Sequence, residues 1–320
     1  MRDPVMRTER YRIHAAALRY FDAVRRAGSI REAARRLNIA SSAVNRQILA
    51  LEAEVGALLF DRLSGGLKLT AAGEILAHHV IGVLRDAERV RSEIDALRGL
   101  QTGQVELVTL EGACHHIVPG AIAAMAARYP RVTVGVTILG TEAIPAAIAN
   151  GDADLGLAFE VPPRPELRRI AAARFRLGAV VALGSPLAGA ARVTFNDLRD
   201  HTVILPKANF ANRGQVQPAM IRAGMAGRGR YEAGSIELMK QLVLRGLGVA
   251  LMTRVGVEAE LAAARLAHVP LWQGRGFIQS ELGIYARANT PLPIAAAAFA
   301  HSLSVMLDGA VGGGVEPAAG

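Results

Sequence analysis

Cysteine and tryptophan each occur once in this sequence, and the single cysteine is Cys114. No disulfide can form within the chain, so its stability must come from packed apolar cores. A chain without disulfides fits the reducing interior of a cell, and we therefore expect a cytoplasmic protein.

Long apolar runs are missing as well. None approaches the roughly 18 residues that a membrane helix needs. The first ten residues are charged and lack the apolar centre of a signal peptide. We therefore expect neither export nor a membrane partner.

The usual catalytic motifs are also lacking. The sequence contains no glycine-rich phosphate loop, no HExxH helix and no paired-carboxylate motif. We therefore predict that the chain is not an enzyme and that it carries no cofactor and no metal.

Hydrophobic residues are plentiful, at 51% of 320 residues, which is enough for two domains of ordinary size. The formal net charge is +9. Residues 1–70 hold 13 Lys and Arg against 7 Asp and Glu, a net of +6. A basic excess concentrated in the first fifth of the chain favours a polyanionic partner such as nucleic acid.

The chain changes character near residue 100. Residues 13–98 read as helices broken by turns, whereas from Val105 short β-branched runs alternate with alanine-rich helical stretches, as in an α/β domain. We place the boundary at Gly99–Gly103. Residues 1–12 are predicted to be a flexible lead-in and residues 311–320 a disordered tail.

Three short helices are predicted at the N-terminus. The first covers Ile13–Arg26, and the second covers Ile30–Leu37 behind a capping box formed by Ser29 and Glu32. The third begins at Ser41. Two helices joined by a short turn, the second with polar groups outward, form a helix-turn-helix, although a three-helix bundle with a solvated face would show the same pattern.

A tight hairpin is predicted after the third helix, with Gly65-Gly66 at its turn. Together with the helix-turn-helix it forms a winged DNA-binding domain over residues 13–70. Asn and Arg side chains can read base edges, and basic groups on the wing can reach phosphates. The predicted DNA-binding residues are Ser29, Ser41, Ser42, Asn45, Arg46, Gln47, Arg62 and Lys68.

A long helix over residues 71–99 should follow, with Thr70 as its N-cap. Its apolar residues are spaced 4, 3, 4, 3, 4, 3, which is the seam of a two-helix coiled coil. The alternative is that the seam packs on its own domain. The seam consists of Leu76, Val80, Val83, Ala87, Val90, Ile94 and Leu97.

Five segments of the first 74 residues resemble the LysR-type transcriptional regulators in order and spacing. They are Ser29–Leu37, Ser42–Ile48, Leu51-Glu52, Leu59–Arg62 and Leu69–Glu74. The chain departs from the family at Ala40–Ala43, where many relatives have Ser-Gln-Pro-Ala, and at Asn45, where many have Ser. The operator sequence therefore does not carry over from a relative.

The second half resembles the effector domain of the same family, a two-lobed fold like type 2 periplasmic binding proteins. The matching segments are Gly103–Thr109, Pro119, Arg128–Pro130, Asn150–Leu157 and Leu244–Ala250. The resemblance implies an effector domain over residues 104–310. One lobe would comprise residues 104–175 and 278–310, and the other would comprise residues 176–277.

The resemblance also implies a small effector in the cleft between the lobes, at strand ends and helix N-termini. We expect an organic anion, held by Lys207, Arg213 and Ser235. Relatives often carry a hydroxyl at Leu110 or Gly112, and both are missing here. The predicted effector-binding residues are Gly112, Ala113, Cys114, Thr141, Lys207, Asn209, Phe210, Arg213 and Ser235.

The partners implied are double-stranded promoter DNA, a second copy of the chain in a homodimer or homotetramer, and RNA polymerase if the protein activates transcription. Two other functions remain open. A solute-binding protein would need export and would leave residues 13–98 unexplained. An enzyme, a metal site or a redox sensor would have to use Cys114-His115-His116, although adjacent residues hold one metal poorly.

Overall fold

The computed structural model describes residues 15–97, 102–208, 210–225, 227 and 229–312. Contacts divide the chain into two compact units, Met1–Arg91 and Ser92–Gly320. The predicted lead-in lies outside the described residues, as does residue 313 onward of the predicted tail. The last helix covers Val311 and Gly312, so the predicted tail began two residues too early.

The described residues of the first unit form four helices and one hairpin, and the fourth helix continues past Arg91 into the second unit. They are α1 (Ala15–Ala27), α2 (Ile30–Leu37), α3 (Ser41–Val55), β1 (Phe60–Leu63), β2 (Gly66–Leu69) and α4 (Ala71–Leu97). The bounds of α2 and the start of α3 agree with the prediction. The hairpin turn is Ser64-Gly65, one residue before the predicted Gly65-Gly66, because Gly66 already pairs with Leu63 in the ladder. Phe60 lies opposite Leu69 at the other end of the hairpin.

One apolar core holds these elements together. Phe21 is fully buried and contacts Phe60 at 5.2 Å between ring centroids. Val44, Ile48 and Leu51, spaced 4 and 3 along α3, supply the buried face of that helix. Burying such side chains contributes roughly 1.5–3 kcal/mol each, so this inner face fixes which residues of α3 remain outside.

The second unit contains two five-stranded sheets and a small hairpin. Its strands are β3 (Thr102–Thr109), β4 (Arg131–Ile138), β5 (Leu155–Phe159), β6 (Leu167–Arg176), β7 (Gly178–Ala182), β8 (Val203–Pro206), β9 (Gly229–Ala233), β10 (Val249–Met252), β11 (Leu266–Pro270), β12 (Trp272–Gln273), β13 (Gly276–Phe277) and β14 (Gln279–Arg287). Its helices are α5 (Ile117–Arg128), α6 (Ile144–Ala149), α7 (Arg213–Arg222), α8 (Ile236–Leu244), α9 (Glu258–Ala262) and α10 (Ile294–Gly312).

The strand orders are β4-β3-β5-β14-β6 in one sheet and β11-β7-β10-β8-β9 in the other. In each sheet the strands that alternate with helices run parallel: β3 pairs with β4 and β5, and β8 pairs with β9 and β10. The long strand β14 returns antiparallel between β5 and β6. Parallel order places several strand ends at one edge of each sheet, where ligands bind in such folds.

The chain crosses between the two sheets twice, at Leu177 and at Ile278. The crossings are bonded to each other, because Leu177 N–H donates to Ile278 O at 2.8 Å. Each sheet has helices and an apolar core of its own. The unit therefore consists of two lobes joined by a paired crossing. Among the described helices of the whole chain, none is long and apolar enough to cross a membrane.

Candidate nucleic-acid interface and ligand cavity

Helix α3 presents most of its predicted DNA-binding residues outward. Ser41, Ser42 and Arg46 are exposed, whereas Asn45 and Gln47 are half-buried at the flanks of the buried stripe. The helix begins after Ala40, whose side chain makes no capping bond. The first turn of α3 therefore keeps free N–H groups beside two serine hydroxyls, an arrangement suited to a phosphate oxygen.

Ser29 caps helix α2, as predicted: its hydroxyl accepts from Glu32 N–H at 3.5 Å. The other half of the predicted capping box is wrong. The Glu32 carboxylate accepts from Arg35 and Arg36 instead, at 2.7–2.8 Å. These two guanidinium groups lower the pKa of Glu32 to about 2. Two basic groups lie within reach of this acid along the helix, and their attraction outweighs the reciprocal cap.

The wing carries the two predicted basic groups. Arg62 and Lys68 are exposed, and Lys68 lies opposite Asp61 in the hairpin. The hairpin is tied to the turn before α2, because Leu67 N–H donates to Gly28 O at 2.8 Å. Gly66 has a φ of +119°, and a Cβ there would lie 2.8 Å from Gly28 O. The wing and the helix-turn-helix thus form one body.

Glu52 positions α3 against the wing, a role that the sequence analysis did not assign. Its Oε1 accepts from Leu59 N–H at 2.8 Å and from Phe60 N–H at 3.4 Å, just where β1 begins. The only available signal was the Leu51-Glu52 segment of the family pattern. Glu52 is a positioning residue, since it fixes the angle between the helix and the wing.

The seam of α4 serves two purposes along its length. Leu76 and Val80 are buried in the core of the first unit, so the alternative of packing on its own domain is correct for the first turns. Farther along, Val83, Val90 and Ile94 are 37%, 45% and 44% exposed. A row of large apolar side chains at heptad spacing remains uncovered in the single chain.

A cavity of about 250 Å³, partly open to solvent, lies between the two lobes of the second unit. Its walls come from the segments that follow the carboxyl ends of β3, β4, β8 and β10, together with β5, α8 and β14. The lining residues are Leu110, Glu111, Gly112, Ile138, Leu139, Gly140, Thr141, Phe159, Phe210, Ala211, Asn212, Gly234, Ile236, Met252, Thr253, Val255 and Ser280.

A second depression of about 540 Å³ lies beside β6 and β14, lined by residues such as Arg174, Glu281 and Tyr285. It is larger but open to solvent, and Glu281 is already paired with Arg169 and Arg174. The smaller cavity is the better candidate site, because ligands are usually enclosed by mostly apolar walls at strand ends.

Three of the predicted effector residues line the cavity: Gly112, Thr141 and Phe210. Asn209 lies outside the described residues. The other predicted residues are described and are not among the lining residues; they are Ala113, Cys114, Lys207, Arg213 and Ser235.

The polar groups of Ser235 and Arg213 are engaged inside the protein. The Ser235 hydroxyl donates to Glu111 Oε1 at 2.8 Å, across the two lobes. Arg213 donates to Pro206 O and to Glu232 Oε1, both at 2.9 Å. Lys207 is exposed. This geometry removes two of the three groups from which an anion site was predicted.

Two polar residues of the lining escaped the sequence analysis. Asn212 donates through Nδ2 to Leu251 O at 3.2 Å, and its Oδ1 is buried without a partner among the described residues. Ser280 donates to Gln215 Oε1 at 3.0 Å. Neither residue belongs to a recognised motif. Asn212 lies just before α7, and Ser280 lies within β14.

Cys114 is half-buried, with Sγ 3.7 Å from Leu110 O. Burial and the charge of Glu111 raise the pKa of its thiol, which opposes a nucleophilic or redox role. His115 and His116 are exposed. No group of three His, Cys, Asp or Glu side chains among the described residues could hold a metal ion.

Two family models match the chain. The model described as bacterial regulatory helix-turn-helix protein, lysR family, matches residues 15–74, and the model described as LysR substrate binding domain matches residues 98–306. Together they cover both units.

Curated relatives and solved structures agree with these matches. The chain is 30% identical over 253 residues to the HTH-type transcriptional regulator CbbR of Rhodospirillum rubrum, covering 79% of this chain and 84% of that protein. It is 30% identical over 260 residues to the RuBisCO operon transcriptional regulator of Acidithiobacillus ferrooxidans, covering 81% and 83%.

Among solved structures, a full-length OxyR variant from Pseudomonas aeruginosa superposes with a TM-score of 0.73 at 18% identity, covering 91% of this chain and 94% of that one. Full-length CbnR complexed with its target DNA superposes with a TM-score of 0.56 at 22% identity, covering 92% and 100%. These likenesses show a shared fold.

Proposed function

This chain belongs to the LysR family of bacterial transcriptional regulators, and we propose that its DNA-binding domain spans residues 13–70, its linker helix residues 71–99 and its effector domain residues 104–310. Within the effector domain we assign residues 104–175 and 278–310 to one lobe and residues 176–277 to the other. The protein is a DNA-binding regulator with an effector-binding domain and is not an enzyme. The solute-carrier and enzyme hypotheses are therefore wrong.

Helix α3 enters the major groove in this proposal. The observation that carries it is the division of α3 into a buried face and an exposed face with Ser42 and Arg46, in one body with a basic wing. Arg46 and Asn45 read base edges, while Ser29, Ser41, Ser42 and Gln47 contact the backbone at the groove edge. Arg62 and Lys68 on the wing contact phosphates.

The exposed part of the α4 seam pairs with the same helix of a second copy. Val83, Val90 and Ile94 supply the apolar surface for this contact. A homodimer is the minimum unit, and family members suggest a homotetramer. Paired heads would read half-sites about 34–36 Å apart, or a multiple of that distance. RNA polymerase is a further partner if the protein activates its promoter. The protein acts in the cytoplasm.

The cavity between the lobes receives a small organic effector. Its binding changes promoter occupancy to the extent that the effector prefers one lobe arrangement over another. We do not propose that the effector is an anion held by Lys207, Arg213 and Ser235. Arg213 and Ser235 already bond acidic side chains of the protein.

A footprint of the purified full-length protein on the DNA upstream of its own gene tests the proposal. We expect a protected site with two-fold symmetry. The logarithm of the binding constant should fall with the logarithm of salt concentration by about 0.9 per neutralised phosphate. Equal protection of random DNA at the same salt concentration would contradict sequence-specific regulation.

A further inference from the structure

The cavity lining is short of positive charge. Among the described lining residues the one charged side chain is Glu111, and the others are apolar, hydroxyl or amide groups. Arg254 sits in sequence between the lining residues Thr253 and Val255 but is not itself part of the lining. An organic anion entering this cavity would meet a carboxylate and no described cation.

Glu111 already occupies the position that suits an anion. Its Oε1 accepts from Ser235 Oγ at 2.8 Å, and its Oε2 accepts from Ile236 N–H at 2.9 Å. The Glu237 N–H adds a longer bond of 3.4 Å to Oε1. These donors form the N-terminus of α8, where negative charge is favoured. Glu111 belongs to one lobe and α8 to the other, so the protein's own carboxylate satisfies this helix end across the cleft.

A competing carboxylate would therefore have two poor choices. It could displace Glu111, which leaves that carboxylate beside the new one in the same cleft. Alternatively, it could lie in the rest of the cavity without a described cation to pair with. Burying an unpaired charge is costly, whereas a neutral molecule avoids this cost.

The remaining walls suit an apolar body. Phe159 and Phe210 belong to different lobes, and Ile138 and Met252 add aliphatic surface. A volume of about 250 Å³ lies below the roughly 300–1,000 Å³ of sites for drug-sized ligands, so the ligand must be small.

We propose that this cavity selects a small uncharged organic molecule and that Glu111 excludes organic anions from it. The inference rests on the proposed function, since it names the chemical class of the effector of that same cavity. It replaces the anion expected from the sequence.

Calorimetry of the full-length protein with matched probes tests the inference. Benzamide and benzyl alcohol are neutral, while benzoate has a similar shape and a negative charge. We expect benzamide or benzyl alcohol to bind at least about tenfold more tightly than benzoate, because only benzoate would bring a second negative charge beside Glu111. Benzoate binding as tightly as the neutral probes would overturn the proposal, and so would no binding of any probe at millimolar concentration.

One variant assigns the preference to Glu111. In Glu111→Gln the ratio of the neutral-probe affinity to the benzoate affinity should fall by about tenfold, because the repelling charge is removed while the side-chain shape is kept. Glu166→Gln, at an exposed position outside the lining, is the matched control. An unchanged affinity ratio in folded Glu111→Gln would show that Glu111 does not exclude anions, and the wild-type comparison of the probes tests the proposal even if the variant fails to fold.

The two proposals fail separately. Probe preference is read by calorimetry without DNA, whereas regulation is read from the footprint without any probe. A protein that protects its promoter but prefers benzoate would refute only the assigned effector class. A protein that prefers benzamide but protects no specific DNA would refute the promoter-binding proposal.

Discussion

The two units of this regulator build their candidate sites in opposite ways. In the first unit, the predicted DNA-binding residues lie between Ser29 and Lys68, and their exposure follows from helical spacing of three or four residues or from one short hairpin. In the second unit, one cavity gathers side chains from Leu110 to Ser280. Short-range patterns therefore describe the first site well and the second poorly. The following predictions test this difference.

The ion pairs of Lys240 give the strongest test of this difference between local and distant contacts, because one partner is close in sequence and the other is far away. Lys240 is 3% exposed and pairs with Glu260, which is 20 residues away and nearly buried, and with the half-exposed Glu237 three residues before it. Glu260→Gln should lower the free energy of unfolding by about 3 kcal/mol, because it removes a buried countercharge. Glu237→Gln should cost under about 1 kcal/mol. Urea unfolding of both variants measures this, and equal losses would break the comparison.

Gly73→Ala tests whether the first unit also depends on contact between elements. A Cβ at Gly73 would lie 2.2 Å from Leu59 O, a backbone atom that cannot easily move. We expect a loss of about 2 kcal/mol despite the better helix propensity of alanine. Gly65→Ala is the control, since nothing lies within 4 Å of a Cβ there. A thermal melt in which Gly73→Ala is as stable as Gly65→Ala would contradict this packing.

Arg46→Ala should weaken binding to the specific operator by about 1–3 kcal/mol if the side chain reads a base. Lys68→Ala, on the wing, should weaken specific and random DNA alike and reduce the salt slope by about 1. Fluorescence anisotropy on both DNAs separates the two roles. Equal losses on both DNAs for Arg46→Ala would make it a phosphate contact instead.

The pH dependence of stability should come from the second unit. Burial lowers the pKa of His268 to about 4 from its ordinary 6.5. The unfolded chain therefore binds the proton first, and the stability that His268 contributes is lost as pH falls from about 6.5 to about 4. Between pH 7 and pH 5 we expect a loss of about 1–2 kcal/mol that His268→Asn abolishes.

Glu32, in the first unit, is the matched control for that titration. Its folded pKa of about 2 lies below its ordinary 4.5, so its contribution is present above about 4.5 and fades as pH falls toward 2. Glu32→Gln should therefore leave the slope between pH 7 and pH 5 unchanged. Chemical unfolding at pH 7 and pH 5 measures the change in unfolding free energy in each variant. If His268→Asn loses as much stability between these pH values as the wild-type protein, His268 is not the cause of the loss.

Much of the fold was predictable because its signals are local. Ser29 caps α2, and Thr70 Oγ1 accepts from Gly73 N–H at 3.0 Å at the start of α4. The hairpin turn was predicted within one residue of its place at Ser64-Gly65. The Glu32 half of the capping box was wrong, because the Glu32 carboxylate binds Arg35 and Arg36 on its own helix. The spacing of apolar residues predicted the seam of α4. It did not predict that the first turns of this seam would be buried in the first unit.

The cavity was predictable only in outline. Family segments located the strand ends, and Gly112, Thr141 and Phe210 do line the cavity. They did not indicate that Arg213 would be taken up by Glu232, or that Ser235 would bond Glu111. Those partners depend on which strand ends become neighbours, and no periodicity in the chain encodes that.

The sequence by itself determined the helix-turn-helix, its wing and the heptad seam, because helix caps, turns and apolar spacing act over a few residues. The two-lobed plan followed from the resemblance of its segments to the family. The tertiary structure alone decided the chemistry of the cavity. Glu111 and Ser235 lie 124 residues apart, and only the packing of the two lobes brings this carboxylate to the end of α8. The same packing makes Glu111 the one charged side chain of the described lining, which is the feature that points to an uncharged effector.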